Sequence, residues 1–208
     1  MTDSGRTTLP IASPAAAPLP MVLPVPAAMT SKPASLITVS PMRRRHLRGV
    51  LAIEQQASSH PWSIGLFLGE LRMPTSRCYN VALDRHVVVG LSGLMYTGEE
   101  GHITNIAVHP DYLRLGIASE MLVETMKQAV SRGVTAVTLE VRASNTAAHK
   151  LYQRFGFAPG GVRRNYYADP REDALIMWAQ DVDTKRYAER LLSIASGLRQ
   201  FPHQGDSE

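Results

Sequence analysis

Between Arg77 and Pro110 three apolar runs of strand length follow one another with only turn signals between them: "RCYNVALD", "HVVVGLSGLMYTGEE" and "GHITNIAVHP". Connections as short as Asp84-Arg85 and Gly98 to Gly101 leave no room for crossover helices, so these strands join as hairpins. The period then changes. Leu115 to Arg132 sets Ile117, Met121, Leu122, Met126, Ala129 and Val130 on one side of a helix, and Gly133 is its C-terminal stop. "VTAVTLEVRA" returns to strand period, with Val137, Leu139 and Val141 on one face and Thr138, Glu140 and Arg142 on the other. Asn145 reads as the N-cap of a second helix, "TAAHKLYQRF", closed by Gly156. "FAPGGVRRNYY" and "DALIMWAQDV" follow as an antiparallel pair around "ADPRED". Upstream lie a strand, "SLITVSPM", and two helices. The first, "RRRHLRGVLAIEQQAS", has Leu47, Val50, Leu51 and Ile53 at helical spacing. In the second, "HPWSIGLFLGELRM", Pro61 stands near the start and Trp62, Phe67, Leu68 and Leu71 are available for burial. Helices interleaved with strands, several of them in hairpins, specify an α/β three-layer sandwich on a mixed sheet.

The flanks differ from this region. Of the 14 prolines, half fall at or before Pro33, interleaved with alanine. Proline at that density removes backbone donors and forbids a continuous helix, so residues 1–35 are expected to form a disordered or polyproline-like arm. The six prolines from Pro10 to Pro26 would break a signal-peptide helix, and Arg6 alone makes a poor positive flank. Met29 stands as an alternative start. Residues 36–182 form the globular domain. Residues 183–208 add an amphipathic helix, "TKRYAERLLSIASGLRQ", and a polar tail. Arm and helix are both candidates for recruiting a partner. No stretch approaches the roughly 20 apolar residues of a membrane span, and a cytoplasmic protein with no membrane association is expected.

Cys78 is the one cysteine, which excludes an internal disulfide and a cysteine-cluster metal site. The seven histidines show no ligand spacing and are expected at the surface or in loops, so no metal is expected. A net charge of +4 suits an acidic ligand or a ribonucleoprotein setting, and a solvated surface equally well.

The junction "NIAVHPDYLRLGIASEML" carries the first chemical signal. A helix begins with N–H groups that have no intrahelical partner and with the positive end of the macrodipole. Small residues at Gly116 and Ala118 let an anion approach those donors, and Arg114 can add a charge. Neither a P-loop lysine nor a dinucleotide fingerprint is present, and on its own the junction also fits an ordinary turn.

Three blocks together, "NIAVHPDYLRLGIASEML", "LEVRASNTAAHKLYQRFGF" and "RRNYY…EDALIM", closely resemble the GNAT acetyltransferase superfamily. Within it they resemble the RimI branch of ribosomal-protein alanine N-acetyltransferases, as does "IEQQASSHPWS". The resemblance covers Leu36 to Asp181. It implies the GNAT three-layer α/β/α sandwich with a central, mostly antiparallel sheet, and acetyl-CoA as acetyl donor. By that resemblance Ile106, Ala107 and Val108 lie along acetyl-CoA on a splayed strand, with the Val108 N–H as oxyanion donor. Arg114, Leu115, Gly116, Ile117, Ala118 and Ser119 would cradle its diphosphate, and Asn145 would contact its arm. Glu140 would be the general base and Tyr152 the general acid. One departure is Leu113, at the first cradle position, where relatives usually carry Gln or Arg.

The implied partner is the N-terminal segment of a protein, a ribosomal one, with no direct nucleic-acid requirement. Acetyl transfer needs a neutral amine, a stabilised oxyanion and a proton for the departing thiolate. An α-amine is about a tenth neutral at pH 7, whereas lysine is only about 0.04% neutral. One partly screened glutamate is adequate for the former. Trp62, Arg163, Arg164, Tyr166 and Tyr167 either line a peptide groove or pack and solvate it. Two other readings stay open: transfer to lysine or a small amine, and a module that binds acyl-CoA or a partner without transfer.

Overall fold

The computed structural model describes residues 37–200. The proline-rich arm and the polar tail expected from the sequence lie outside them. The elements in chain order are β1 (Ile37–Pro41), α1 (Leu47–Ala57, after a 3-10 turn at Arg44–His46), α2 (Ile64–Glu70), β2 (Arg77–Asp84), β3 (Val87–Thr97) and β4 (Glu100–Val108). They continue as α3 (Ile117–Ser131), β5 (Ala136–Arg142), α4 (Thr146–Arg154), β6 (Ala158–Ala168), β7 (Arg171–Ala179) and α5 (Lys185–Gln200).

The strands form one seven-stranded sheet in the order β1-β2-β3-β4-β5-β7-β6. Every neighbouring pair is antiparallel except β4 and β5. Residues of α3, α4 and α5 bury against one face, where Met121, Leu122, Met126, Val137, Leu139 and Phe155 form the larger core. On the other face α1 and α2 enclose Val50, Ile53, Trp62, Phe67, Tyr79 and Leu91. Strand alternation supplies both cores at once, because successive side chains leave the sheet on opposite sides. The result is the expected three-layer sandwich on a mostly antiparallel sheet.

Local chemistry sets the helix boundaries. α2 starts at Ile64, where Ser63 Oγ accepts from Leu66 N at 3.2 Å, so Pro61 falls in an extended lead-in and not in the helix. α3 starts at Ile117, two residues later than its apolar pattern suggests. Arg114 and Gly116 both take left-handed conformations, with φ of 67° and 74°, and the chain cannot be helical through them. α5 docks on the main core: Tyr187, Leu191 and Ile194 are buried in it, and Tyr187 Oη donates to Phe155 O at 2.9 Å. At its far end Leu198 Cδ2 lies 3.4 Å from where a Cβ on Gly116 would stand. No helix among the described residues is long and apolar enough to cross a membrane.

Candidate active site

β4 and β5 run together only briefly. Glu100, Gly101 and His102 pair with Ala136, Val137 and Thr138, and the two strands then part. β4 stays paired with β3 as far as Val108, and β5 with β7 as far as Arg142, so a gap opens between them. His109 N donates to Val89 O at 2.8 Å, which fixes the direction of β4 amides toward β3 at that residue. Amide directions alternate along a strand. Those of Ile106 and Val108 therefore point into the gap, where no strand claims them. Ile106 and Val108 side chains pack in the larger core and Ala107 in the smaller one, so this stretch separates the two helical layers.

The turn before α3 opens onto the same region. Gly116 is the N-cap of α3 and no side chain caps the helix, so its first-turn amides, those of Ile117, Ala118 and Ser119, remain available to an anion. The Ile117 side chain is buried, Ser119 is buried, and Leu115 and Ala118 pack against the core. Leu113 also packs there, in extended conformation. Its side chain faces the core while the donors of the turn are backbone groups, so the departure at this position does not remove a ligand-facing amide.

Glu140 leaves β5 on the α1–α2 side of the sheet. It is buried, and both carboxylate oxygens are engaged: Oε2 lies 3.2 Å from His102 Nε2 and Oε1 lies 3.1 Å from Arg163 Nη2. Burial pushes the carboxyl up, but the His102 hydrogen bond and charge and the Arg163 guanidinium outweigh it and hold Glu140 below the usual carboxylate range. Tyr152 comes from α4 on the opposite side, buried against Phe157 with ring centroids 5.7 Å apart. Burial, and then the Tyr167 phenol, push Tyr152 far above the usual tyrosine range, so it is held protonated. Tyr167 is raised by burial and, among the groups around it, by Tyr166 and Glu140. It thus lies within electrostatic reach of both Glu140 and Tyr152. Arg142 stacks on its ring at 4.1 Å and pairs with Glu172 at 3.2 Å.

Asn145 is buried, and its Oδ1 accepts from Ala148 N at 3.0 Å, which makes it the expected cap of α4. Arg163 is open to solvent on its outer side. Trp62 is a core residue, tilted against Phe67 and Tyr79. The loop before it is tied down twice. Ser59 Oγ donates to Asp169 O at 2.7 Å, bridging to the β6–β7 turn, and Trp62 N donates to Glu54 Oε2 at 3.3 Å. Glu54 Oε1 accepts from Asn105 Nδ2 at 2.6 Å, so one buried carboxylate joins this loop to β4. Trp62 Nε1, Asn105 Oδ1 and Tyr167 Oη are buried without a partner among the described residues. Orphan polar atoms of this kind are rare in protein interiors.

Two residues here escaped the sequence reading. His102, expected at the surface or in a loop, stands in a strand with its imidazole on Glu140. Glu54, on which the helical spacing of α1 gave no reading, is fully buried. A signal for His102 existed: it and Glu140 each precede an apolar core residue facing the other layer, but only the β4–β5 register brings them side by side. Among the described residues no group of His, Cys, Asp and Glu could hold a metal ion.

Residues 47–157 match the acetyltransferase (GNAT) family model. The ribosomal protein bS18-alanine N-acetyltransferase of Escherichia coli K12 is 37% identical over 143 residues, which is 67% of this chain and 95% of that protein. The enzyme of the same name from Haemophilus influenzae is 34% identical, over 60% of this chain and 86% of its own. Among solved structures, the ribosomal-protein-S18-alanine N-acetyltransferase of E. coli superposes with a TM-score of 0.65 at 34% identity, covering 70% of this chain and 94% of that one. Ard1 from Thermoplasma volcanium superposes with a TM-score of 0.63 at 26% identity, covering 68% and 95%.

Proposed function

Since the chain belongs to the GNAT acetyltransferase family, alongside the ribosomal-protein-alanine N-acetyltransferases, we propose that it moves the acetyl group of acetyl-CoA to the alanine α-amine at the N-terminus of ribosomal protein bS18. The observation that carries this reading is the similarity to the E. coli enzyme, 37% identical across 95% of that enzyme's length. The work would be done in the cytoplasm.

The residues present fit acetyl-CoA as acyl-donor substrate. The uncapped start of α3, with the left-handed turn through Arg114 and Gly116, offers backbone donors to a diphosphate. The gap between β4 and β5 offers a strand edge along Ile106, Ala107 and Val108 for the pantetheine arm, with Asn145 at the start of α4 beside it. Acetyl-CoA brings a thioester, and the chain's own groups do the rest. The Val108 N–H points into the gap, where it would hold the carbonyl oxygen as charge grows on it. Glu140 on one side draws the incoming amine and helps remove its proton. Tyr152 on the other keeps its proton until the sulfur departs. The groove between the Ser59–Trp62 loop and the β6–β7 turn, with Tyr166, Tyr167 and Arg163 on its strand side, would take the extended N-terminal segment.

Intact-mass analysis of ribosomal proteins from cells with and without this protein tests the reading. One acetyl group should disappear from bS18 alone. Purified protein should acetylate an alanyl peptide in preference to an α-blocked peptide carrying lysine. Faster turnover of the lysine peptide would overturn the substrate assignment, and the absence of any transfer would favour a binding module.

A further inference from the structure

The positive charge of the chain is gathered at one end. Residues 70–208 hold sixteen lysines and arginines and sixteen carboxylates, so they are neutral as a whole. Residues 1–69 hold six lysines and arginines against two carboxylates, Asp3 and the fully buried Glu54. The net +4 therefore arises there, and among the described residues it is concentrated in Arg43, Arg44, Arg45 and Arg48. All four are exposed, and none pairs with a carboxylate among the described residues. They stand at the 3-10 turn and the first turn of α1, and neither turn carries an acidic residue. Cations at a helix start oppose the macrodipole, and neighbouring guanidinium groups repel one another. Their field reaches the buried His46, whose imidazole is pushed down by burial and then by Arg45 and Arg43. Local rules are broken in this way chiefly at functional sites.

We propose that this arginine cluster is a docking surface for the phosphate backbone of RNA. The choice of RNA rests on the ribosomal-protein reading above; the demand for a polyanion does not. The apolar neighbours Met42, Leu47 and Val50 are all buried, so the surface offers no apolar anchor. A stable protein–protein interface is built around such anchors, and a helix seated on a membrane needs an apolar face beside its cations. A row of phosphates asks only for positive charge and forked donors, and guanidinium groups supply both. Position supports the same partner. The 11 residues of α1 span about 16 Å, and the far end of the helix leads into the Ser59–Trp62 loop. RNA held at the start of α1 therefore lies on the layer that carries the proposed peptide groove, about one helix length from it. A free peptide reacts without this contact, whereas a ribosomal protein joined to RNA gains a second hold on the enzyme.

The test titrates the full chain into a fluorescent single-stranded RNA of about 24 nucleotides, long enough for several backbone contacts, and reads anisotropy. Wild type should bind with a Kd of about 10⁻⁶–10⁻⁴ M, the usual range for contacts to the backbone alone. A variant with Arg43→Gln, Arg44→Gln, Arg45→Gln and Arg48→Gln together should bind at least about tenfold more weakly at low salt. Its slope of log Kd against log salt should be smaller by about 2–3, the value for three or four lost phosphate contacts. A control that changes the exposed Lys127, Lys150, Lys185 and Arg186 to glutamine should keep most of the affinity. Because the four arginines oppose the dipole of α1, the cluster variant should melt at or above the wild-type temperature, which separates lost binding from lost folding. Its kcat and KM on a free alanyl peptide should match wild type. Equal losses in the cluster and control variants, or a wild-type Kd weaker than about 1 mM at low salt, overturns the proposal. So does tighter binding through the same arginines to a polyglutamate peptide or to phosphatidylglycerol vesicles, since the partner would then be an acidic protein or a membrane. If wild type fails to acetylate the alanyl peptide, the acetyl-transfer reading falls, and the RNA titration still decides the role of the cluster.

Discussion

The buried Glu54 joins the Ser59–Trp62 loop to β4, and substituting it gives a prediction with a calculable size. In Glu54→Ala, two buried donors lose their acceptor: Asn105 Nδ2, now at 2.6 Å, and Trp62 N, now at 3.3 Å. Each unsatisfied buried donor costs roughly 1–3 kcal/mol. Removing the carboxylate also relieves its own desolvation, so a net loss of about 2–4 kcal/mol is expected. For a domain of this size that corresponds to a fall in Tm of roughly 4–16 °C. Glu54→Gln should behave differently. Its oxygen can accept from Trp62 N, and its NH₂ can donate to Asn105 Oδ1, at present without a partner, once that amide turns over. This variant should stay within about 1 kcal/mol of wild type. The pH dependence sharpens the contrast. Burial raises Glu54 above its ordinary 4.5, against the Asn105 and Trp62 hydrogen bonds. The folded state therefore holds the proton more tightly than the unfolded chain does. The associated stability is complete below that ordinary value and is lost as pH rises through the folded one. Scanning calorimetry at pH 5 and pH 8 should show Glu54→Gln gaining on wild type at the higher pH. An alanine variant melting within 2 °C of wild type, or a glutamine variant as weak as alanine, would refute the reasoning (~0.5 kcal/mol is the limit that 2 °C sets).

Further outcomes are expected elsewhere. Glu140 is held low by its partners, so its stabilising contribution is present above the ordinary carboxylate value of 4.5 and is lost as pH falls through its folded value. Wild type should out-melt Glu140→Gln at pH 7 and lose that lead in acid. Tyr152→Phe should slow turnover by about 10²-fold or more while acetyl-CoA affinity measured by calorimetry stays unchanged. Gly116→Val should weaken acetyl-CoA binding, because its φ of 74° costs a β-branched residue about 1–2 kcal/mol and the new side chain meets Leu198 at 3.4 Å. Gly93→Ala should destabilise by roughly 1–3 kcal/mol, read as Tm, since its methyl would press on Thr104 Oγ1 at 2.6 Å and Tyr79 Cδ1 at 2.9 Å.

Local pattern made most of the architecture legible. The hairpins from β2 to β4, the apolar side of α3 and the Asn145 cap each depend on residues a few positions apart, and each appears where the periodicity put it. The start of α3 was displaced because left-handed residues at Arg114 and Gly116 are not visible in hydrophobic spacing. Glu140 and Tyr152 were named from a family resemblance, and the structure sets them on opposite layers of one gap. His102 was missed for a different reason. Its partner lies on a parallel neighbour 38 positions along the chain, and parallel register is set by tertiary packing, not by any turn between the two strands. Glu54 was missed likewise, because a carboxylate on a helix reads as solvated until its buried donors from Asn105 and Trp62 are seen.

The resting place of Leu198 against the turn at Gly116 has a practical side. Shortening the polypeptide from its C-terminal end would strip a wall from the turn proposed to hold the coenzyme, and on that proposal the damage would look like weakened coenzyme binding though no binding residue had changed. A purification handle or fusion partner placed after the last helix would start from that same corner. Kinetic comparisons of altered forms are therefore best made with the final helix intact and any added sequence at the other end.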